Sequence, residues 1–161
     1  MFSFEPGTFL FEAWVARNQL LAGLGVTAQL SVITIVAGSV IGIFGGIGLT
    51  YGPLPVRFLL RVYVDAVRGI PVLVLILFSY YGLALLGIQI SPFTAGIVAL
   101  GGFCGAHMSE TVRGSLESIP AGQTEAAKAI GLRFGQRLRY VLLPQAIRGE
   151  ALLVRPAPDR E

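Results

Sequence analysis

The sequence predicts an all-α integral membrane protein: three transmembrane helices followed by a cytoplasmic helix pair. Three observations predict it. Of 161 residues, 54% are hydrophobic and only 13% are charged, with mean hydropathy +0.74, whereas an ordinary soluble domain carries about 25% charged residues. Asp, Glu, Lys and Arg are missing from Asn18 to Val56 and again from Gly69 to Ser109. The 12 Lys and Arg residues fall in blocks rather than evenly along the chain. High hydrophobicity excludes a disordered chain, and so little charge cannot cover a soluble globule. The single cysteine, Cys104, excludes an internal disulfide framework and a Cys-cluster zinc site. One histidine, His107, leaves little room for His-based metal or triad chemistry.

Each element has its own reason. A transmembrane helix needs about 20 mostly apolar residues. The first charge-free run holds one span, expected over Leu24–Leu49. The second run breaks at Gly87-Ile88-Gln89-Ile90-Ser91-Pro92, and glycine and proline mark turns. Span two is therefore expected over Ile70–Leu86 and span three over Phe93–Glu110. This divides the chain into an extracytoplasmic segment (1–23), a three-span membrane domain (24–114), a cytoplasmic region (115–148) and a charged, proline-rich tail (149–161). A cleaved leader is not expected. The N-terminus lacks a basic region and the first apolar run is too long.

Orientation follows from the basic residues, because basic loops stay cytoplasmic. Only Arg17 precedes span one. Arg57, Arg61 and Arg68 fall between spans one and two, and no base falls between spans two and three. Arg113, Lys128, Arg133, Arg137, Arg139, Arg148, Arg155 and Arg160 follow span three. The N-terminus is expected outside and the C-terminal third inside. Trp14, Tyr63, Tyr80 and Tyr81 are expected at the membrane interfaces, where aromatic belts sit.

Within span one, Gly38, Gly42 and Gly46 are spaced by four, with Gly45 and Gly48 beside them. Small residues four apart let helices approach closely in lipid. The row reads either as a helix-packing face or as ordinary glycine enrichment of membrane helices. Near the inner end of span three, Glu110 and Arg113 share a helix face and can pair. They read as an interfacial ion pair, or, in the alternative, Glu110 is an ion-relay group. No paired-carboxylate site, P-loop lysine motif or metal-ligand spacing occurs. The chain is expected not to be an enzyme, and to take no cofactor, metal or nucleic acid.

The cytoplasmic segment is the informative one. Pro120 and Gly122 break the helix arriving from span three. Thr124 is the expected cap of a new helix, with Glu125 at its positive end. Ala126, Ala127 and Ala129 present a low-profile surface, and Gly131 is a helix stop. Beyond it, Phe134, Leu138 and Leu142 form an apolar stripe among Arg133, Arg137 and Arg139. Pro144 is expected to end or kink this second element. By physics alone the pair is either a peripheral element on anionic membrane lipid or a docking element for a cytoplasmic partner.

Glu125-Ala126-Ala127, then Gly131, then Val141-Leu142-Leu143-Pro144 resembles the EAA loop of binding-protein-dependent ABC importer permeases, with Val141 for Ile. Arg68-Gly-Ile-Pro-Val-Leu, Phe78-Ser-Tyr-Tyr-Gly82, Glu110-Thr-Val-Arg-Gly114 and Ile119-Pro-Ala-Gly-Gln123 are similar to the polar amino-acid branch of that family, which serves histidine, glutamine, glutamate, arginine and opine uptake. The resemblance covers Gly23 to Arg148. It implies a type I importer fold in the inner membrane, two cytoplasmic ATPase subunits, a periplasmic or lipid-anchored amino-acid binding protein, and a second permease subunit, the same or related. It assigns ATPase coupling to Gly122, Glu125, Ala126, Ala127, Ala129, Gly131, Leu143 and Pro144. Permeases of this branch resemble five-span proteins, and the tail from Gly149 leaves that pattern. Two alternatives accompany the permease reading: a truncated, non-conducting membrane protein that keeps the docking helix, and a small channel or ion-coupled carrier. The lack of charge within the spans argues against the carrier.

Overall fold

The computed structural model describes residues 8–152. Residues 1–7 of the N-terminal segment and 153–161 of the tail lie outside the described residues. Among the described residues every element is helical. A short helix α1 (Phe9–Val15) leads into α2 (Arg17–Tyr51), 35 residues long, or about 52 Å at 1.5 Å per residue. Among the described helices, α2 alone is long and apolar enough to cross a membrane by itself. Arg57 donates to the Thr50 carbonyl at 3.2 Å, setting a cation at the negative end of α2.

After Gly52 the chain reverses into α3 (Leu54–Gly69). This overturns the expected loop of Arg57, Arg61 and Arg68. Leu60, Tyr63, Val64 and Val67 recur at helical spacing and form one apolar stripe. That stripe packs on α2, with Val56 and Leu60 near Gly48 and with Tyr63 and Val67 near Ala37 and Ile41. The order of these contacts makes α3 antiparallel to α2. The loop reading weighed the charges and overlooked the stripe between them.

Pro71 breaks the helix. From it rises α4 (Val72–Leu77), continued by a π-helical turn at Phe78–Gly82 and by α5 (Leu83–Leu85). These stretches of six, five and three residues make about 21 Å of helix, short of the ~30 Å hydrocarbon core. The expected span over Ile70–Leu86 is thus not a single crossing. Leu54–Gly69 and Val72–Leu85 pass for length and apolarity only as a pair, bent by 110° at the break. Gly87, at φ +81°, closes this helix: its N–H bonds the Ala84 carbonyl and the Ile88 N–H bonds the Leu83 carbonyl.

Helix α6 (Pro92–Glu117) follows, with Pro92 at its first position and the Ser91 hydroxyl accepting from the Thr94 N–H at 3.1 Å. Gly38 faces Cys104, Gly42 faces Met108 and Gly46 faces Val112. Each step of four along α2 matches a step of four in the same direction along α6, so these two helices run parallel. The chain then leaves the bundle as α7 (Ala121–Ala129) and α8 (Phe134–Arg137), and returns through a π-helical turn at Leu138–Leu142 into α9 (Leu143–Leu152). The segment Gly149–Leu152, expected as tail, therefore continues this helix. Among the described residues two small cores hold the assembly. Leu49, Val64 and Ala106 join α2, α3 and α6, while Leu116, Leu142 and Ala146 join α6 to the returning chain.

Candidate functional site

The protruding surface is α7. It starts at Ala121 with Pro120 as its cap residue, four positions before the expected cap Thr124. Proline has no N–H to lose and its fixed φ suits a helix entry, which explains the earlier start. Gly122, Glu125, Ala126 and Ala129 are exposed along the helix, and Ala127 is buried against the chain behind it. Ile130, 76% exposed, stands at the tip. Among the described residues neither Glu125 nor Lys128 makes an ion pair. The face is thus small-surfaced, with one unpaired acid.

Gly131 ends α7 at φ +79°. Its N–H bonds the Lys128 carbonyl at 2.9 Å, and the Leu132 N–H bonds the Ala127 carbonyl at 3.1 Å. This paired closure needs a left-handed residue, which glycine supplies without strain. The chain then turns sharply back. The Gln145 side-chain amide donates to the side-chain Oε1 of Gln123 at 3.2 Å, tying α9 to the first turn of α7. Tyr51 at the end of α2 meets Phe134 edge-on, with ring centroids 5.4 Å apart. Pro144 neither ends nor kinks the second element into two. It sits in the first turn of α9, directly after the wide π turn, and the helix runs on to Leu152. A π turn displaces the local hydrogen-bond ladder, so the N–H that proline lacks interrupts no regular α bond. Leu143 is half-buried beside it.

Above this surface lies the packing seam. A Cβ added to Gly42 would fall 2.3 Å from Met108 Cβ, one at Gly38 2.6 Å from Cys104 Cβ, and one at Gly46 2.5 Å from Val112 Cβ. Ser109, fully buried, faces Gly45 and donates to the Gly105 carbonyl at 2.7 Å. Tyr63 is not at an interface rim. It reaches between α3 and α6 and donates to the Gly102 carbonyl at 2.6 Å. Glu110 accepts from Arg113 Nε at 3.1 Å and pairs with Arg61 of α3 at 3.5 Å, while Arg113 also binds Glu117. His107 is exposed, with Nδ1 3.1 Å from the Phe103 carbonyl. A cleft of ≈ 630 Å³ opens among α2, α3, α4 and α6, lined by apolar groups together with Tyr63 and Ser79.

Sequence spacing picked out Glu110 with Arg113, but not Arg61 or Glu117. Arg61 lies on a helix distant in sequence. Glu117 stands four residues after Arg113, a spacing that did offer the signal. Gln123 and Gln145 carried none, because nothing in the sequence brings α7 beside α9. No metal-holding cluster of His, Cys, Asp or Glu occurs among the described residues.

Together these features define an all-α membrane component with the fold of type I ABC importer permeases. The sequence pattern described as "Binding-protein-dependent transport system inner membrane component" matches residues 38–154, and the chain belongs to that family. It is 36% identical over 137 residues to the glutamine transport system permease protein GlnP of Escherichia coli (strain K12), covering 84% of this chain and 63% of that one. It is 34% identical over 130 residues to the arginine transport system permease protein ArtQ of Bacillus subtilis (strain 168), covering 80% and 59%. A crystal structure of an amino acid ABC transporter with histidines superposes with a TM-score of 0.74 at 32% identity, over 89% of this chain and 67% of that one. The chain spans 63% of the length of the Escherichia coli glutamine permease and 58% of a probable glutamine permease of Bacillus subtilis (strain 168).

Proposed function

We propose that this chain is the membrane-spanning permease part of an ABC importer for a polar amino acid, with α7 as the helix that couples ATPase motion to the path. The observation that carries the proposal is α7 itself. It is a small-faced helix held away from the bundle, with Glu125 unpaired among the described residues and Gly131 closing it into a sharp return. The named relatives support an amino acid as cargo. Gly122, Glu125, Ala126 and Ala129 lie against a groove of the ATPase subunit, while Ala127, Gly131, Leu143 and Pro144 set the helix at its angle. ATP is hydrolysed on that partner. A binding protein delivers the amino acid, and a second permease subunit, identical or related, completes the path.

The parallel run of α2 and α6 supports entry of both from the same side of the inner membrane, with the N-terminus outside and α7 in the cytoplasm. Tilting of α6 and α9 about the seam is the motion that alternates access. The test is co-purification of the cognate ATPase subunit with Glu125→Lys. Loss of binding, with the helical content unchanged, is expected. Undiminished binding sinks the coupling-helix assignment. Uptake that persists without ATP or without a binding protein sinks the importer reading itself.

A further inference from the structure

Behind the exposed tip, a shallow pocket of ≈ 490 Å³ is formed by Arg133, Gly135, Gln136, Arg139 and Tyr140. We propose that this pocket binds the phosphate of an anionic phospholipid, anchoring the returning helical segment of the coupling region to the inner leaflet. Three observations carry the assignment.

The first is charge. Between Glu125 and Glu150 the sequence holds Lys128, Arg133, Arg137, Arg139 and Arg148 and no acid at all. Among the described residues neither Arg133 nor Arg139 pairs with a carboxylate. Two arginines at one pocket repel each other, and a phosphate placed between them adds attractions that outweigh that repulsion.

The second is donor geometry. Gln136 uses its side-chain oxygen to accept from the Arg133 N–H at 2.9 Å, which leaves its amide N–H groups as donors. The Arg139 guanidinium lies over the neighbouring Tyr140 ring, 5.7 Å from its centroid. The residues that line this pocket thus carry two guanidinium groups, an amide and a phenol, a donor set that suits a phosphate ester better than a carboxylate.

The third observation distinguishes a lipid from a soluble phosphate. Tyr140 is 65% exposed and Ile147, two turns further along, is 74% exposed. The surface passes from basic to aromatic to aliphatic along the return into the bundle. That is the sequence of environments from headgroup to acyl chain. Arg137, in contrast, lies on the side of Tyr51 and outside the pocket.

The inference rests on the permease reading only for the depth of α9 in the bilayer, and its test involves no transport or ATPase partner. The full chain is delipidated in detergent, and bound lipid is titrated back and read by native mass spectrometry, with phosphatidylglycerol and phosphatidylcholine in separate arms. At least tenfold tighter binding of phosphatidylglycerol is expected. The preference should vanish in Arg133→Gln with Arg139→Gln, survive in Arg137→Gln, and return in Arg133→Lys with Arg139→Lys. Far-UV circular dichroism verifies that the double glutamine variant keeps its helices. Equal binding of the two lipids, or equal loss in Arg137→Gln, overturns the site. Displacement of the lipid by millimolar inorganic phosphate assigns the pocket to a soluble phosphate and overturns the lipid source.

Discussion

Gln145 and Gln123, distant in sequence, meet through a hydrogen bond of 3.2 Å that clips the protruding helix α7 to α9. The bond is exposed, and the net worth of such a neutral bond is about 0.5–1.5 kcal/mol at most. Gln145→Ala is expected to speed hydrogen exchange of the α7 amides by roughly 2- to 10-fold, in keeping with that range. Exchange in α2 should not change. Unaltered α7 protection would show that the clip contributes nothing to the position of the helix.

The glycine seam makes a sharper demand. With Met108 Cβ only 2.3 Å from the Cβ that alanine would place at Gly42, one helix must move. Overpacking of this kind costs about 1–3 kcal/mol. Gly42→Ala should lower the thermal unfolding midpoint in detergent. Gly23 meets nothing within 4 Å. Gly23→Ala should therefore be neutral or raise the midpoint, because alanine is favoured over glycine in a helix by about 0.5–1 kcal/mol. If both variants behave alike, α2 and α6 do not touch along this row.

Tyr63→Phe keeps the ring and removes the bond to the Gly102 carbonyl, formed at 2.6 Å. Loss of a neutral hydrogen bond costs about 1 kcal/mol. That carbonyl also belongs to the α6 ladder, so it is not left wholly unpaired, and the cost should not exceed this figure. Unfolding midpoints of the two proteins provide the comparison.

A double-mutant cycle tests the ion network. Glu110 binds Arg113 on its own helix and Arg61 on α3. Arg61 is 44% exposed and 3.5 Å away, so its coupling to Glu110 should be at most about 0.5 kcal/mol. The coupling of Glu110 with Arg113 should be larger, about 1 kcal/mol after allowance for partial exposure. The reverse order would place the chief contact between helices rather than within one.

Gly131 is strained for any residue with a side chain. At φ +79°, alanine costs about 1–2 kcal/mol. Gly131→Ala should weaken capture of the ATPase subunit, and Gly131→Asn should weaken it less, because asparagine tolerates the left-handed region. Equal capture by all three proteins would separate the turn from docking.

The sequence by itself determined the class of this protein. Two long charge-free runs and clustered bases allow burial in lipid and little else, and this depends on composition, which needs no contacts. It also determined the stop at Gly131 and the break at Pro120, because glycine and proline act through their own backbone geometry, whereas the break at Pro71 lay inside the expected span over Ile70–Leu86. The spaced motif around Glu125 pointed to the family because its residue types and spacing are local. Tertiary structure decided what local pattern leaves open. Whether Arg57 to Arg68 is a loop or a helix depended on what its apolar stripe could pack against, and α2 and α6 supply that surface. The glycine row named a face but not its neighbour; the parallel match to Cys104, Met108 and Val112 comes from the fold. Arg61 with Glu110, Tyr63 with Gly102 and Gln145 with Gln123 are all pairs far apart in the chain. Such pairs exist only once the backbone has brought their helices together, and so no spacing in the sequence could announce them.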